Sequence, residues 1–308
     1  MPNKNLLFFM SVSILLAFGC KKETIAEKVS IPSYSEIPTV LVENYINRIY
    51  IDLLGREPLD IEMDSEVKFL RSGELSINSR IVLIKNLQQD TTFREGEINY
   101  QHAYYNQLYN KCKGRMIEGA SAYEINHEIS QLSEAIFRDS LAGNYEAQQL
   151  HTYERQKLID VIEAEELMRL DSITIGNALG KMADNKIYDI INMNTVNFLD
   201  ASFDNLFFRF PTNHERNVCF DIVELNESGI LWGRPAQNKK ELIDLWINSL
   251  EFLNGQVIWL YQSLYARVPN TAEMAYGMDL LRTEGNIQKL EQKIMSTDEY
   301  AHFTYQNK

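Results

Sequence analysis

Proline and glycine are scarce in this chain of 308 residues, which has only 7 prolines and 14 glycines. Because both residues interrupt helices, a chain with so few of them forms long helices readily. Basic residues are also in the minority. The formal net charge of −13 at pH 7 argues against nucleic acid as a partner, because phosphate binding needs a basic face. After residue 20 no apolar run is long enough to cross a membrane.

Motifs for catalysis and cofactor binding are missing too. The sequence contains no Gly-x-Ser-x-Gly elbow, phosphate-binding loop, dinucleotide fingerprint or His-Glu-x-x-His zinc motif. It also lacks Cys-x-x-Cys-His, which excludes covalent c-type haem. We therefore expect a protein that is not an enzyme and needs no cofactor.

Only three cysteines occur, and two of them follow residue 20. In an oxidising compartment Cys112 and Cys219 are able to form a disulfide, and two buried free thiols are the alternative. Lys111 and Lys113 flank Cys112 and would lower the pKa of its thiol. No base is identifiable beside it, so we expect an exposed loop thiol or half of a disulfide rather than a nucleophile.

Two Glu-x-x-His pairs have the spacing that di-iron helical bundles use, Glu124 with His127 and Glu299 with His302. This spacing places a carboxylate and an imidazole on one helix face. In a chain rich in glutamate two such pairs arise by chance, so we predict no metal site. A metal-dependent enzyme built in a helical bundle stays an alternative.

The one long apolar run, residues 6–18, ends in the segment Ala-Phe-Gly-Cys at residues 17–20. This segment resembles the lipobox of bacterial lipoproteins, in which the signal peptide is cut before a cysteine that receives a diacylglycerol. The resemblance implies lipid attachment at Cys20. A transmembrane anchor is one alternative, but the run spans only about 20 Å as a helix. An ordinary secretory signal is the other. Lys21 after the cysteine resembles an outer-membrane address.

One pattern occurs three times in the body of the chain. It begins at Tyr50, Phe203 and Tyr261 with an aromatic residue, followed three positions later by leucine and then by Arg-x-Pro-x-x-x-Glu. The three copies share an arginine, a proline and a glutamate. These are Arg56, Pro58 and Glu62 in the first copy, Arg209, Pro211 and Glu215 in the second, and Arg267, Pro269 and Glu273 in the third. The apolar spacing after each copy predicts an amphipathic helix.

A further helix follows in each copy. We align its apolar residues Leu83, Leu87 and Phe93 with Leu242, Trp246 and Phe252 and with Leu290, Ile294 and Tyr300. Each copy is thus predicted to be a series of helices joined by turns, and three copies indicate a repeat protein.

The turn has a physical explanation. Proline ends one helix and fits beside the start of the next, while the glutamate forms a capping box with Thr212 or Asn270. In the first copy Leu59 stands at the cap position, so the box is expected to fail there, with Asp60 as the substitute. The arginine is suited to capping helix carbonyls or pairing with the glutamate. A residue that closes a turn recurs in every copy, so we assign these residues a structural role.

The first copy carries a family resemblance. Residues 50–58, Glu62, Phe69-Leu70 and Asp90-x-x-Phe93 are similar to helical domains of unknown function often found with planctomycete-type cytochrome modules. They are also similar to short helical repeats of extracellular bacterial proteins that carry an Arg-x-Pro-Asp turn. The resemblance covers residues 43–110 best and 200–305 more weakly, and it implies a helical fold without an activity.

Between the first and second copies, proline-free residues 118–198 predict two helices with a break at Gly143-Asn144. The first has an apolar stripe at Ile125, Ile129, Leu132, Ile136 and Leu141. We expect the hairpin to pack on the repeats, and a protruding arm that grips a partner is the alternative. Residues 217–235 predict an irregular loop. Its Trp232 either forms a contact surface or folds back over the helices, whereas Trp259 is expected to be buried.

The sequence therefore predicts an all-α protein of five parts. These are a signal peptide (1–19), a flexible tether (20–38), helical repeat 1 (39–115), a helical hairpin (116–198), and repeats 2 and 3 (199–308). We expect a non-catalytic interaction or scaffold lipoprotein of the cell envelope, held to the lipid bilayer of the outer membrane and bound to an envelope protein. An accessory subunit of an envelope redox or polymer-processing system is an alternative, as is carbohydrate binding through exposed Trp and Tyr.

Overall fold

The computed structural model describes residues 34–93 and 98–303. Within these ranges the regular structure is helical apart from one two-stranded sheet, which confirms the predicted all-α fold. None of the described helices is both long and apolar enough to span a bilayer. The predicted signal peptide, Cys20 and most of the tether lie outside the described residues.

The last residues of the predicted tether are packed on the body. A 3-10 turn at Tyr34–Glu36 precedes Ile37, which is only 4 % exposed. The carbonyl oxygen of Ile37 accepts a hydrogen bond from Nη2 of Arg71 at 2.6 Å. Residues 34–38 therefore belong to the folded body and not to a flexible linker.

The first repeat consists of α1 (Thr39–Leu54), α2 (Asp60–Ser72), α3 (Ile77–Gln89) and α4 (Tyr100–Met116). Phe93 lies beyond the end of α3 and is 78 % exposed, so its predicted place in the buried stripe is wrong. The aromatic residue that enters the core here is Tyr100 at the start of α4, which is 1 % exposed.

The connecting segment contains four helices, α5 (Ala122–Ala142), α6 (Tyr145–Arg169), α7 (Ile175–Ala183) and α8 (Lys186–Asn192). The break between α5 and α6 falls at the predicted Gly143 and Asn144. Gly143 adopts a left-handed φ of 70°, which glycine does without strain, and Asn144 caps α6. The sequence predicted only two helices in this segment, and the structure adds the short helices α7 and α8 after them.

Only part of the α5–α6 hairpin packs on the repeats. The buried residues of α6 all lie in its C-terminal half: Leu158, Val161, Ala164 and Met168. From residue 133 to residue 157, all of which are described, no side chain is buried. Leu141, the end of the predicted apolar stripe, is 75 % exposed. We refer to residues 133–157 as the arm.

Repeats 2 and 3 share one helix. Their helices are α9 (Thr195–Phe207), α10 (Asn213–Glu224), α11 (Lys239–Ile247), α12 (Leu250–Tyr265), α13 (Thr271–Glu284), α14 (Ile287–Met295) and α15 (Asp298–Ala301). Helix α12 ends the second repeat and begins the third. It crosses α9 so closely that a Cβ on Gly255 would lie 2.1 Å from the carbonyl oxygen of Leu206, which excludes any side chain at that position.

The predicted irregular loop at residues 217–235 is instead largely ordered. Helix α10 continues to Glu224, and strands β1 (Gly229–Leu231) and β2 (Arg234–Ala236) form an antiparallel hairpin. Its two turn residues, Trp232 and Gly233, both have positive φ, 50° and 77°. This is the pattern of a two-residue type I′ hairpin turn.

Repeats 1 and 3 are far apart in sequence but pack against each other. The OH of Tyr45 donates to the carbonyl oxygen of Met295 at 3.1 Å. Arg80, which is 0 % exposed, donates to the carbonyl oxygens of Leu75 and Ser296, both at 2.8 Å, and to Oδ1 of Asp298 at 2.7 Å. One buried guanidinium therefore connects the third helix of repeat 1 with the last turn of repeat 3.

We predict that Arg80→Met lowers the free energy of unfolding by about 2–4 kcal/mol, because it leaves two buried carbonyls without a donor and breaks an ion pair. Urea denaturation followed by far-UV circular dichroism measures the change. The control is Arg282→Met, at a surface pair with Asp279 that is 67 % and 65 % exposed, which should cost no more than about 0.5 kcal/mol. Equal costs for the two variants would contradict this role of Arg80.

Candidate functional site

The arginine and glutamate of each repeated turn form a bidentate ion pair. In repeat 1, Nη1 and Nη2 of Arg56 donate to the two carboxylate oxygens of Glu62 at 2.8 and 2.9 Å. The pairs Arg209–Glu215 and Arg267–Glu273 have the same geometry, with distances of 2.8 to 2.9 Å. The fork of a guanidinium matches the two oxygens of a carboxylate, so both partners are held in one orientation.

The same glutamates also cap the following helices. Oε2 of the glutamate accepts from the N-cap amide at 2.8 Å in repeats 1 and 2 and at 2.7 Å in repeat 3. Thr212 and Asn270 complete capping boxes with their side chains. In repeat 1 the leucine side chain at the cap, Leu59, has no acceptor, so only the glutamate half forms. Asp60 is the first residue of the helix and does not replace the cap.

The aromatic residue at the start of each pattern lies beneath the guanidinium. The arginine Cζ is 5.5 Å from the ring centroid of Tyr50, 5.3 Å from that of Phe203 and 5.5 Å from that of Tyr261 in the three repeats. These distances fall within the range of cation–π attraction. Aromatic ring, arginine and glutamate therefore form one structural unit that is built three times.

A fourth group joins each unit from the start of the repeat's last helix. The OH of Tyr100 donates to Glu62 at 2.6 Å in repeat 1, while Glu251 accepts from Arg209 at 3.4 Å in repeat 2 and Glu299 from Arg267 at 2.7 Å in repeat 3. The sequence did not reveal this role for any of the three residues, although Glu299 was noted for its spacing to His302. The available signal was their position just after the N-caps Asn99, Ser249 and Thr297.

The carboxylate of Glu215 is held in its charged form by the hydrogen bonds that it accepts. Burial by itself would raise its pKa, but hydrogen bonds from Arg209, the Thr212 amide and Trp232 lower the pKa to about 2. The indole Nε1 of Trp232 donates to Oε1 of Glu215 at 2.9 Å. Trp232 therefore folds back over the helices, where its ring also meets Phe203 and Phe207 at 6.2 and 5.5 Å. Every donor around Glu215 favours its charged form, so it is a permanent anion at neutral pH.

Neither thiol of the folded body is activated. Cys112 and Cys219 are free and 0 % exposed, and burial raises the pKa of each to about 12. The predicted lowering of the Cys112 pKa by its lysine neighbours is wrong, as is its predicted place in an exposed loop. The residue lies inside α4, and removal from water outweighs the attraction of the cations.

The Glu-x-x-His pairs are engaged in other contacts. Glu124 accepts from the Ser121 amide at 2.6 Å as part of a capping box, and His127 stacks on Tyr123 with centroids 6.0 Å apart. Glu299 is bound to Arg267, and His302 Nε2 lies 2.8 Å from Arg48 Nη1. Within the described ranges no group of three or more His, Cys, Asp or Glu side chains is arranged to hold a metal ion.

Trp259 is 9 % exposed, in line with the sequence prediction. The guanidinium of Arg115 lies 5.2 Å from its ring centroid and 4.1 Å from that of Phe208. Burial lowers the pKa of Arg115 to about 10, so it stays charged between the two rings at neutral pH. Trp232, by comparison, is 36 % exposed.

A charged cleft of about 510 Å³ lies between α6, α7 and α11. Its lysines are already paired with carboxylates, at 3.2 Å for Lys157–Asp184, 2.9 Å for Lys181–Asp160 and 2.6 Å for Lys240–Asp244. The positive charges are compensated within the cleft, so it has no excess charge for an anionic ligand.

The arm carries large apolar side chains that nothing in the described chain covers. Phe137 and Leu141, one helical turn apart on α5, are 64 % and 75 % exposed, and Tyr145 at the start of α6 is 69 % exposed. The two helices are joined here by His151 Nδ1 and Asp139 Oδ2 at 2.7 Å. The apolar end of the arm is therefore held in place but unpacked.

Comparisons with known proteins gave no relative. A scan against protein-family models, a search of curated proteins and a search of solved structures each found no match to this chain. Interpretation of the site therefore depends on its own geometry.

We predict that Glu215→Gln destabilises the protein by about 1–3 kcal/mol at pH 7, and Glu273→Gln by less, because the side chain of Glu273 is 23 % exposed against 9 % for Glu215. The low pKa of Glu215 gives stability that is complete above the unfolded value of 4.5 and is lost as pH falls towards about 2. The difference between wild type and Glu215→Gln should therefore shrink from pH 5 to pH 2. Urea denaturation across this range tests it, and a constant difference would contradict the assignment.

Proposed function

We propose that the protein is a non-catalytic, lipid-anchored interaction module of the bacterial cell envelope, which contacts an envelope protein through its arm. The membrane placement derives from the lipobox-like segment ending at Cys20, which precedes the described residues. Lys21 favours the outer membrane as the address. The folded body, residues 34–303, would then be held near the membrane surface on the extracytoplasmic side.

The single observation that carries the interaction role is the exposed apolar end of the arm. Phe137, Leu141 and Tyr145 are each at least 64 % exposed and lie at the end of the α5–α6 hairpin. Aromatic side chains are frequent anchors of protein–protein interfaces, and exposed apolar patches mark interaction sites. Burial of such side chains against a partner contributes about 1.5–3 kcal/mol each. Apolar character favours a protein surface over a polysaccharide as the partner.

The chemistry of the repeats supports a role without catalysis. The arginine and glutamate of each turn are consumed by ion pairs and helix caps, and both thiols in the body have a pKa raised to about 12. These groups build the framework that presents the arm. The likeness of repeat 1 to planctomycete helical domains, and an accessory role in an envelope redox or polymer-processing system, stay predictions.

The lipid anchor has a direct test. We expect cells grown with an alkynyl fatty acid to label the wild-type protein and not Cys20→Ser, because the acyl chains require that thiol. Cys112→Ser is the matched control and should label like wild type, since the Cys112 thiol is buried inside α4. Mass spectrometry of the native protein should show a chain that begins at Cys20. An unlabelled protein that begins at Met1 would refute the anchor.

The arm is tested by quantitative capture from detergent-solubilised envelopes. The triple variant Phe137→Ser, Leu141→Ser, Tyr145→Ser should reduce recovery of the co-purifying protein at least tenfold, since each lost anchor weakens binding by about 1 kcal/mol or more. The control is Ile61→Ser with Val82→Ser, at sites that are 77 % and 53 % exposed on α2 and α3. Unchanged melting temperatures show that the variants fold. If the control reduces recovery equally, or no partner is reproducible, the proposal fails.

A further inference from the structure

A carboxyl group is buried where repeat 1 packs against repeat 3. Glu291 lies on α14, and its Oε2 accepts a hydrogen bond from the OH of Tyr104 on α4 at 2.7 Å and another from Nε2 of Gln88 on α3 at 2.9 Å. Oε1 of Gln88 in turn accepts from Nε2 of Gln292 at 2.7 Å. Each of these four residues is at most 6 % exposed. They form a polar network inside the contact between the two repeats.

No counter-ion is bound to this carboxylate. The glutamates of the three turns each bind an arginine, whereas both hydrogen bonds that Glu291 accepts within the described chain come from uncharged groups. The positive charge that acts on it most strongly is that of Lys111, whose Nζ donates to the carbonyl oxygen of Asp52 at 2.5 Å. The carboxylate of Asp52 adds a negative charge that opposes Lys111. A charge buried without a bound counter-ion is costly, so the ionised form of Glu291 is disfavoured here.

The other titratable groups around α14 do not supply the missing charge. On α4, burial raises the pKa of Tyr104, Tyr105 and Cys112, which keeps all three neutral at pH 7. The two lysines of α14 itself, Lys289 and Lys293, are exposed. The acidic residues of α12, α13 and α15 bind arginines, apart from the exposed Glu284: they are Glu251, Glu273, Asp279, Asp298 and Glu299.

The network has room for a neutral carboxyl group as well. Both hydrogen bonds end on Oε2 of Glu291, so Oε1 can carry a proton without the loss of either. Removal from water outweighs Lys111 and the two donors and raises the pKa of Glu291 above its usual value of 4.5. Because the folded pKa is the higher one, the stability that this group contributes is complete below pH 4.5 and is lost as pH rises through the folded pKa.

We propose that Glu291 is a pH-sensitive clamp between repeats 1 and 3, in which uptake of a proton strengthens the contact of α14 with α3 and α4 and loss of the proton loosens it. The clamp acts between neutral pH and about pH 5, above the range in which Glu215 takes up a proton. It depends on neither the lipid anchor nor the arm, so its test and those of the proposed function can fail separately. On the proposed extracytoplasmic side of the membrane, the pH of the medium would set its strength.

Native-state hydrogen exchange of the full-length protein in detergent, followed by mass spectrometry, measures how often the contact opens. Peptides from α14 report on the clamp, and their rates are divided by the intrinsic exchange rate at each pH. We expect the opening constant of α14 in wild type to fall at least about threefold from pH 7 to pH 5, since each unit of pKa shift is worth about tenfold. In Glu291→Gln, which keeps an acceptor for Tyr104 and Gln88 but carries no charge, it should change less than about 1.5-fold.

Two further variants separate the clamp from general effects of charge and of lost hydrogen bonds. Glu227→Gln removes an exposed carboxylate from the loop after α10 and should respond to pH like wild type. Glu291→Met removes the acceptor as well as the charge, so it should open more often, but equally at pH 7 and pH 5. The proposal is overturned if α14 of wild type shows no such fall, if the fall persists in both uncharged variants of Glu291, or if Glu227→Gln abolishes it.

Discussion

The whole architecture depends on a carboxylate that satisfies two demands at once. In each repeat a glutamate in the first turn of one helix binds the arginine two residues beyond the preceding helix and also the N-cap amide of its own helix. Because the position of the glutamate is set by its helix and the fork of the arginine is planar, the angle between the two helices has little freedom. Proline between them removes a competing helical continuation. The Arg–Glu ion pair thus holds the turn, and its geometry is the same in all three copies of the pattern.

The surroundings of the Arg–Glu ion pair differ between repeats 2 and 3. In repeat 2 the β-hairpin places Trp232 over the pair, and the indole adds a third donor to Glu215. In repeat 3 Glu299 shares Arg267, as Glu251 shares Arg209 in repeat 2, but the side chain of Glu273 is 23 % exposed against 9 % for Glu215. Screening by water weakens an exposed pair, so the same three residue types make a stronger contribution in the second repeat than in the third.

Local features of the sequence were sufficient for the helices but not for their long-range contacts. Apolar spacing and capping residues are encoded within one or two turns, so the break at Gly143 and the turn after Arg209 were predictable. The contact of Arg80 with Ser296 spans 216 residues, and nothing near Arg80 indicates it. The prediction for Phe93 failed for a related reason. Its spacing from Leu83 and Leu87 placed it in their helix, but that helix ends at Gln89.

Cys112 shows the same limit for chemistry. Its neighbours in sequence are lysines, which favour a thiolate, but its neighbours in space are the apolar side chains of the core. Desolvation of the thiol outweighs the attraction of Arg115 and Lys111, so burial decides the pKa of Cys112. The residues next to a cysteine in sequence are therefore a poor guide to its pKa when the thiol lies on the buried face of a helix.

The distribution of unsatisfied groups separates framework from function. The charges of the three turns and of the lysine–aspartate cleft are matched. Other groups depart from this pattern: the arm exposes apolar surface that water solvates poorly, and Arg115 and Gln256 bury polar atoms that accept or donate no hydrogen bond within the described chain. The exposed apolar surface of the arm costs free energy in the isolated protein, and a partner of complementary chemistry would relieve that cost. Because the arm is open to solvent, it is a place where binding of a partner has much to gain.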